Sequence, residues 1–304
     1  MKTDSSTAIV QPGGRPASTP LARAATPIDL ARWMIWPAVL FTIVFFVVPL
    51  ITMVLVSFWV RSGGTLVPDW TVQNYVKFFT RDYLLTALRN SIEVTLLTTA
   101  LSVLLAYPLA YILAFHVPER WQKIVLVLAV LPFWTSYVVR SYSWLLVIGD
   151  NGILNKLLLD LGLVSEPLRL AYTRSATVLG FVHFFVMLLT LTIYANLIQI
   201  SPSYLKAAQD LGASTIRVIW HVILPLSLPG IAVGAFLTFV ITIGDYVTPQ
   251  ILGGNTEVLM PQAIMLQIVR TADLPMAATL SLVLMTFVMG VYLIFQRYLK
   301  MDRV

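Results

Sequence analysis

Six long stretches of this chain carry no charged residue, and they constrain its fold more than any other feature. They cover residues 34–58, 94–115, 124–139, 175–205, 218–244 and 274–296. A helix needs about 20 apolar residues to cross the hydrocarbon layer of a bilayer. The third stretch is short but resumes beyond Arg140, and the fourth is longer than one span, so its last part must leave the bilayer. We therefore predict an all-α membrane protein with six transmembrane helices, and an interfacial or re-entrant segment over residues 258–269.

The composition agrees with a membrane protein and excludes several other classes. Of 304 residues, 58% are hydrophobic and 11% are charged, whereas charged residues make up about 25% of a soluble domain. The chain has no cysteine, which excludes disulfides, thiolate catalysis and metal sites built on sulfur. Its net charge of +6 is better explained by basic residues at cytoplasmic membrane edges than by nucleic-acid binding.

The two ends of the chain differ in character. Residues 1–32 are rich in Ser, Thr, Pro, Ala and Gly, so we predict a flexible cytoplasmic tail before a six-helix transmembrane domain over residues 33–300. Basic residues favour, by a small margin, an orientation with both termini in the cytoplasm. The small residues at 62–64 leave cleavage after the first span open, although the length of that span favours a retained membrane anchor.

The loop between the fourth and fifth spans, residues 201–225, predicts a short helix. Ser201 suits the N-cap, Pro202 the first helical position, and Gly212 a left-handed exit. Apolar side chains recur at every third position and form a small ridge: Leu205, Ala208 and Leu211. Since a loop between membrane spans has no core of its own, the ridge predicts docking into a groove of another protein. A surface helix on the lipid headgroups is the alternative, although the segment is poor in basic residues.

This loop resembles the EAA signature of bacterial ABC importer permeases. The resemblance rests on Lys206-Ala207-Ala208, on Gly212, and on Ile223-Leu224-Pro225, which fall at the offsets of that signature. Lys206 stands where the family usually has Glu, so a charge contact is lost, reversed or replaced, with Asp210 as a substitute.

The resemblance implies that the helix is a coupling helix, which docks into a cleft of a separate cytoplasmic ATPase. It assigns this contact to Leu205, Lys206, Ala207, Ala208, Asp210, Leu211 and Gly212. The sequence contains no Gly-x-x-x-x-Gly-Lys-Ser/Thr motif for holding phosphates. We therefore expect a transport subunit rather than an enzyme, with no cofactor of its own and with ATP and Mg²⁺ bound by the partner ATPase.

Two further stretches narrow the resemblance. Residues 131–155, beginning Leu-Pro-Phe-Trp-Thr-Ser-Tyr, and residues 244–254, beginning Gly-Asp-Tyr-Val-Thr-Pro, are similar to spermidine/putrescine-type permeases. The resemblance implies a type I importer permease of the bacterial inner membrane, surrounded by lipid, with polyamines as its substrates. It also implies a second homologous permease, two ATP-binding subunits and a periplasmic substrate-binding protein, and no nucleic acid.

The residue types in these stretches suit a path for a flexible polycation. Carboxylates pair with ammonium groups, and aromatic rings contact both ammonium groups and methylenes. The candidate path residues are Asp245, Tyr246, Trp134, Tyr137, Tyr142 and Glu93. Because Pro132 and Arg140 interrupt the third stretch, we predict a broken helix there that lines a cavity. The aromatic residues also fit an interfacial belt, and Asp245 also fits a solvated loop or an ion pair with Arg140.

Other functions stay open at this point. A permease for another small solute, such as an opine or an inorganic ion, shares the coupling loop, and Arg140 would suit an anion. A stand-alone secondary transporter would carry ionisable residues inside its spans or an inverted repeat, and an intramembrane enzyme would carry a catalytic pair. The span interiors hold almost no acidic residues, and we see no repeat at a fixed offset and no catalytic pair in the sequence. The three histidines share no spacing typical of a metal site: His116, His183 and His221.

The fifth span contains a Gly-x-x-x-Gly pair, Gly230 and Gly234. Small residues at this spacing allow two helix backbones to approach closely. The pattern predicts close helix packing, and it leaves open whether the partner helix belongs to this chain or to a second permease.

Overall fold

The computed structural model describes residues 27–254 and 257–299. The chain divides into two compact units, Met1–Thr52 and Met53–Val304. In the first unit, α1 (Pro27–Thr42) continues through a π-helical turn at Ile43–Val47 into α2 (Val48–Ser57), which ends in the second unit. Residues 1–26 of the predicted tail lie outside the described residues. The described part of α1 starts inside that predicted tail, at Pro27.

The second unit consists of a short hairpin followed by helices. The hairpin strands are β1 (Val60–Ser62) and β2 (Thr65–Val67). The helices before the loop of residues 201–225 are α3 (Gln73–Thr80), α4 (Asp82–Phe115), α5 (Glu119–Val130), α6 (Tyr137–Ile148), α7 (Ile153–Asp160) and α8 (Arg174–Leu197). The remaining helices are α9 (Pro202–Asp210), α10 (Thr215–Val218), α11 (Leu224–Gly244), α12 (Met260–Val269) and α13 (Leu274–Leu299).

The helices match the predicted spans. Within the described residues, five are long and apolar enough to cross a membrane: Ile35–Ser57, Asp82–Phe115, Arg174–Leu197, Thr215–Gly244 and Leu274–Gln296. The helix pair Glu119–Pro132 and Tyr137–Asp160, bent by 88° at its break, is the sixth candidate span. The fourth span ends at Leu197, as the excess length of its uncharged stretch predicts. Within residues 258–269, Met260–Val269 form the short helix α12, whose relation to the membrane stays a prediction.

The break in the third span lies where the sequence predicts it. A single 3₁₀ turn, Leu131–Trp134, ends the first half, and Thr135 then adopts an extended backbone before α6 begins at Tyr137. Pro132 has no backbone N–H to donate to the preceding turn, so it weakens the helix at this point. The guanidinium of Arg140 donates to the Pro132 carbonyl oxygen at 2.9 Å, and this oxygen also accepts from the hydroxyl of Thr135 at 2.7 Å and from its backbone N–H at 3.3 Å.

The hairpin is absent from the sequence-based prediction. Its two strands pair in antiparallel register, from Val60 opposite Val67 to Ser62 opposite Thr65. The turn consists of Gly63 and Gly64, both with positive φ, as two-residue hairpin turns require. Strands of three residues are too short to show alternating polarity, which is why the pattern was not visible.

Helices α4, α8 and α11 pack against one another in the second unit. A Cβ atom added at Gly230 would lie 2.6 Å from Cβ of Asn196, and one added at Gly234 would lie 2.6 Å from Cδ2 of Leu189. Both contacts are with α8, so the Gly-x-x-x-Gly pair packs within this chain. The close approach fixes α11, whose end carries Asp245, against the helix that carries Phe184.

Candidate functional site

Asp245 follows directly on the last residue of α11 and organises the turn after it. Its Oδ1 accepts a hydrogen bond from the backbone N–H of Val247 at 2.9 Å, and its Oδ2 accepts one from the N–H of Thr248 at 3.3 Å. A π-helical turn, Pro249–Gly253, comes next. The carboxylate therefore caps the start of this turn, a structural role that the sequence analysis did not assign to it.

Tyr137 is brought to Asp245 by the break in the third span. As the first residue of α6, it directs its hydroxyl onto Oδ2 of Asp245 and onto Oγ1 of Thr248. Both Tyr137 and Asp245 are candidate path residues from the sequence, and the structure places them in direct contact. Thr248 lies in the stretch that carries the resemblance, but nothing in the sequence indicated this contact.

Arg140 lies one helical turn beyond Tyr137 and faces aromatic rings. Its guanidinium carbon is 5.2 Å from the centroid of the Tyr137 ring and 4.6 Å from that of Phe184. The ion pairs between described side chains are Arg89–Glu93, Arg174–Glu93 and Arg174–Glu257. Asp245 and Arg140 therefore form no direct ion pair, which is one of the alternatives considered for Asp245.

A cavity of about 490 Å³ joins these residues. It is lined by Thr135, Tyr137, Arg140, Phe184, Ile241, Gly244 and Asp245. The cavity thus offers one carboxylate and two aromatic rings, the groups that recognise organic cations, together with one guanidinium that is itself a cation. Nothing in the sequence distinguishes Phe184 from the other phenylalanines inside the apolar spans.

A neighbouring cavity of about 580 Å³ shares Thr135 and Arg140 and is more apolar. On its wall, the indole N–H of Trp144 donates to Nδ1 of His183 at 3.1 Å, and the two rings meet edge to face. His183 is therefore a hydrogen-bonded packing residue.

The remaining candidate path residues lie apart from the Asp245 cavity. The side chains of Trp134 and Tyr142 are 82% and 55% exposed, as an interfacial belt would place them. Tyr246 lines a separate pocket of about 250 Å³ together with Gln250, Gln262 and Arg270.

Glu93 belongs to an ion-pair network that links three segments of the second unit. Its carboxylate contacts Arg89 at 2.7 Å and Arg174 at 2.8 Å. Arg174 in turn reaches Glu257 at 2.6 Å and Oδ1 of Asn90 at 3.0 Å. The network ties α4 to the start of α8 and to the segment before α12, and the structure does not bring Glu93 to the Asp245 cavity.

The loop helix forms with the ends that its residues predict. Oγ of Ser201 accepts from the N–H of Ser203 at 3.4 Å, and Pro202 is the first residue of α9. Gly212 has φ of +81°, and its backbone N–H donates to the carbonyl oxygen of Gln209. The backbone N–H of Ala213 donates to the carbonyl oxygen of Ala208. This pair of bonds is a Schellman motif, which requires a residue in the left-handed region at the position of Gly212.

The interpretation of the apolar ridge is wrong in one respect. Leu205 and Ala208 pack against a buried cluster that contains Val218 and Ile223, so they do enter a core of their own chain. The Schellman turn folds the chain back, and α10 and the π-helical turn Ile219–Ile223 cover that face of α9. Leu211 is instead 89% exposed, and three other large side chains of the loop are also exposed; we call these four residues the loop surface: Tyr204, Leu211, Ile216 and Trp220.

Comparison with known proteins decides the family. Residues 106–301, which include both the loop of residues 201–225 and the Asp245 cavity, match the family described as "Binding-protein-dependent transport system inner membrane component". The chain belongs to this family. It is therefore a multi-pass permease of the inner membrane, a transport subunit rather than an enzyme, whose ATPase is a separate subunit.

The permease has a close relative and similar solved structures. It is 31% identical over 261 residues to the spermidine/putrescine transport system permease protein PotB of Haemophilus influenzae. The aligned region covers 84% of this chain and 91% of PotB. A bacterial ABC transporter involved in the import of the acidic polysaccharide alginate shares its fold, with a TM-score of 0.72, 16% identity, and coverage of 90% of this chain and 96% of that one.

The same alginate transporter has also been solved in complex with an alginate pentasaccharide-bound periplasmic protein. That structure matches the permease with a TM-score of 0.71 and 16% identity, over 90% of this chain and 96% of the other. Together these matches confirm the predicted fold class, a helical ABC importer permease.

Proposed function

We propose that this permease forms the membrane path for polyamines, with Asp245 and Tyr137 in that path. The observation that carries the proposal is the direct contact between these two residues on the wall of a cavity that also contains Phe184. A carboxylate pairs with an ammonium group, and ring faces attract both the charge and the adjacent methylenes. The similarity to a spermidine/putrescine permease supports the same substrate class.

Transport requires that the same cavity opens to the two sides of the membrane in turn. In the proposed cycle, a periplasmic binding protein delivers the polyamine, and two ATP-binding subunits close on ATP. Their closure moves this chain and a second homologous permease as rigid bodies. The solved complex of a similar transporter with its periplasmic protein supports the first step. This chain binds no cofactor in the cycle, since ATP and Mg²⁺ belong to the partner ATPase.

The contact with the ATPase is proposed for α9 and the open surface beside it. Lys206, Ala207, Asp210 and Gly212 lie on α9 or at its end and are exposed, and Leu211 belongs to the loop surface. Leu205 and Ala208 support this helix from beneath, because they pack on the buried cluster. The orientation that suits this contact has both termini in the cytoplasm.

The proposal is tested by transport in a reconstituted system. The permease is assembled with its partner permease, ATPase and binding protein in vesicles, and uptake of labelled spermidine and labelled putrescine is measured with ATP. We expect ATP-dependent uptake that unlabelled polyamines inhibit and opines or inorganic phosphate do not. Uptake that only an opine or an inorganic ion inhibits would contradict the polyamine proposal while leaving the family assignment intact.

A second candidate substrate class is a small anion, and one observation favours it. Arg140 contributes a guanidinium to the Asp245 cavity, and a guanidinium recognises carboxylates and phosphates. Against an anion, Asp245 lines the same cavity, and the Arg140 guanidinium already lies over two ring faces. The competition experiment above separates the two classes directly.

A further inference from the structure

Arg140 carries the positive charge of the Asp245 cavity, and it lies where an organic cation would bind. Its guanidinium carbon is 4.6 Å from the ring centroid of Phe184 and 5.2 Å from that of Tyr137. Both distances fall within the range of about 6 Å over which a cation is attracted to an aromatic face. The two rings themselves meet edge to face with their centroids 5.7 Å apart. They form one aromatic cation site, defined by Phe184 and Tyr137, with Arg140 in it.

The contacts of Arg140 hold it in this site without a strong ion pair. Its Nη1 donates to the carbonyl oxygen of Pro132 at 2.9 Å. None of the ion pairs between described side chains involves Arg140. A neutral carbonyl and two ring faces hold a guanidinium less firmly than a carboxylate that accepts two charged hydrogen bonds. Arg140 is thus a cation that another cation is able to displace.

We propose that Arg140 is a tethered competitor of the transported cation. Its guanidinium occupies the aromatic cation site, and a substrate ammonium takes its place there while a second ammonium of the same molecule pairs with Asp245. This inference rests on the proposed function, because it takes the substrate to be a polyamine. It adds a residue that determines specificity, where the proposed function names only residues that attract the substrate.

The competition explains how a path with one carboxylate selects polycations. A polyamine offers two or more charges joined by methylenes, so it gains both the Asp245 contact and the aromatic contact when Arg140 moves aside. An inorganic cation or a monoamine offers one charge and meets the fixed positive charge of Arg140 beside Asp245. An arginine in a narrow path is an electrostatic barrier to small cations. Arg140 therefore excludes ions that Asp245 alone would admit.

The test compares variants at Arg140 with a matched arginine variant outside the cavity. Uptake of labelled spermidine is measured in the reconstituted transporter for wild type, Arg140→Ala, Arg140→Gln and Arg89→Ala. Arg89 is the control, because its side chain is 79% exposed and pairs only along its own helix with Glu93. We expect the KM for spermidine to fall by about threefold to tenfold in both Arg140 variants, since the substrate no longer displaces a cation.

A second readout uses a free guanidinium. Methylguanidinium should inhibit spermidine uptake by Arg140→Ala, whose aromatic cation site it fits, and should not inhibit wild type or Arg89→Ala at the same concentration. Arg140→Gln retains an amide donor for the Pro132 carbonyl oxygen and provides the KM measurement if Arg140→Ala assembles poorly. The inference is overturned if KM stays at the wild-type value or rises in Arg140→Gln. It is also overturned if methylguanidinium inhibits wild type and Arg140→Ala equally.

The outcomes separate this inference from the proposed function. If the wild-type transporter takes up no polyamine, the proposed function fails and the inference fails with it. If wild type takes up spermidine but the Arg140 variants behave like Arg89→Ala, the inference alone fails. Loss of uptake in both Arg140 variants would show that the guanidinium is required for transport, which contradicts competition.

Discussion

The hydroxyl of Tyr137 donates a hydrogen bond to Oδ2 of Asp245 across a sequence separation of 108 residues. One residue begins the second half of the broken third span, and the other follows the end of α11. The same hydroxyl contacts Oγ1 of Thr248, so a single phenol joins three positions of the cavity wall and the turn behind it. This junction places a ring face and a carboxylate next to one another, and it leads to the first two predictions.

Replacing Asp245 with Asn removes the charge of the proposed path and keeps one of the two oxygens that cap the following turn, the one that accepts from Val247. We expect spermidine uptake to fall by roughly tenfold or more, because a charged hydrogen bond of about 1.5–3 kcal/mol is lost. The transporter should still assemble and hydrolyse ATP, which is measured on the same vesicles. Asp245→Ala loses charge and cap together, so it should also lower thermal stability. Normal uptake by Asp245→Asn would remove Asp245 from the path.

Replacing Tyr137 with Phe separates the hydroxyl from the ring. The variant loses the contacts with Asp245 and Thr248, so we expect the free energy of unfolding to fall by about 1 kcal/mol. The KM for spermidine should change by less than about threefold, since the ring face remains. Tyr137→Leu should impair uptake more strongly. Equal uptake by the Phe and Leu variants would show that the ring is not used by the substrate.

Replacing Gly230 with Ala should destabilise the contact between α8 and α11. The added methyl would lie 2.6 Å from Cβ of Asn196, an atom fixed to the backbone. Overpacking of this kind costs about 1–3 kcal/mol. Gly234→Ala should cost less, because its neighbour is the flexible end of Leu189. Thermal unfolding of the purified permease measures both changes.

Gly290→Ala provides the matched control for the two glycine variants. Gly290 lies in α13 with nothing within 4 Å of an added Cβ, so alanine should leave stability unchanged or raise it slightly. A melting temperature for Gly230→Ala equal to that of Gly290→Ala would contradict the close helix approach described for α11.

The two leucines of the loop helix should respond in opposite ways. Leu211→Ala should leave the melting temperature of the isolated permease unchanged, because the side chain is 89% exposed. It should weaken association with the ATPase and lower ATP-driven uptake. Leu205→Ala should instead lower the melting temperature, because Leu205 packs on the buried cluster beneath α9. A stability loss in Leu211→Ala, or none in Leu205→Ala, would overturn the assignment of the two faces.

Features that depend on the surrounding membrane, or on residues adjacent along the chain, could be predicted from the sequence. The spans were predictable, because lipid admits only long uncharged helices. The ends of α9 were predictable, because Ser201, Pro202 and Gly212 act on the backbone next to them. The break in the third span follows from Pro132 for the same reason.

Features that depend on tertiary contacts could not be predicted in this way. The face of α9 that is buried depends on where α10 and the following π-helical turn lie. The prediction considered α9 alone, so it assigned Leu205 and Ala208 to a docking surface, although they pack against this chain. Phe184 joins the cavity only because α8 passes the break in the third span. Glu93 was interpreted as a path residue, whereas its surroundings depend on Arg174, which lies 81 residues away.

The hydrogen bonds of Asp245 bear on how long a cation in the proposed path would stay bound to its carboxylate. An ionised carboxylate has about four lone-pair positions. Three of them already accept hydrogen bonds from described residues: one from Val247 on Oδ1, and those from Thr248 and Tyr137 on Oδ2. A visiting ammonium finds a single vacancy, on Oδ1. In the proposed polyamine path, such a carboxylate would attract a cation and release it readily, so the same three bonds that shape the turn would favour brief residence.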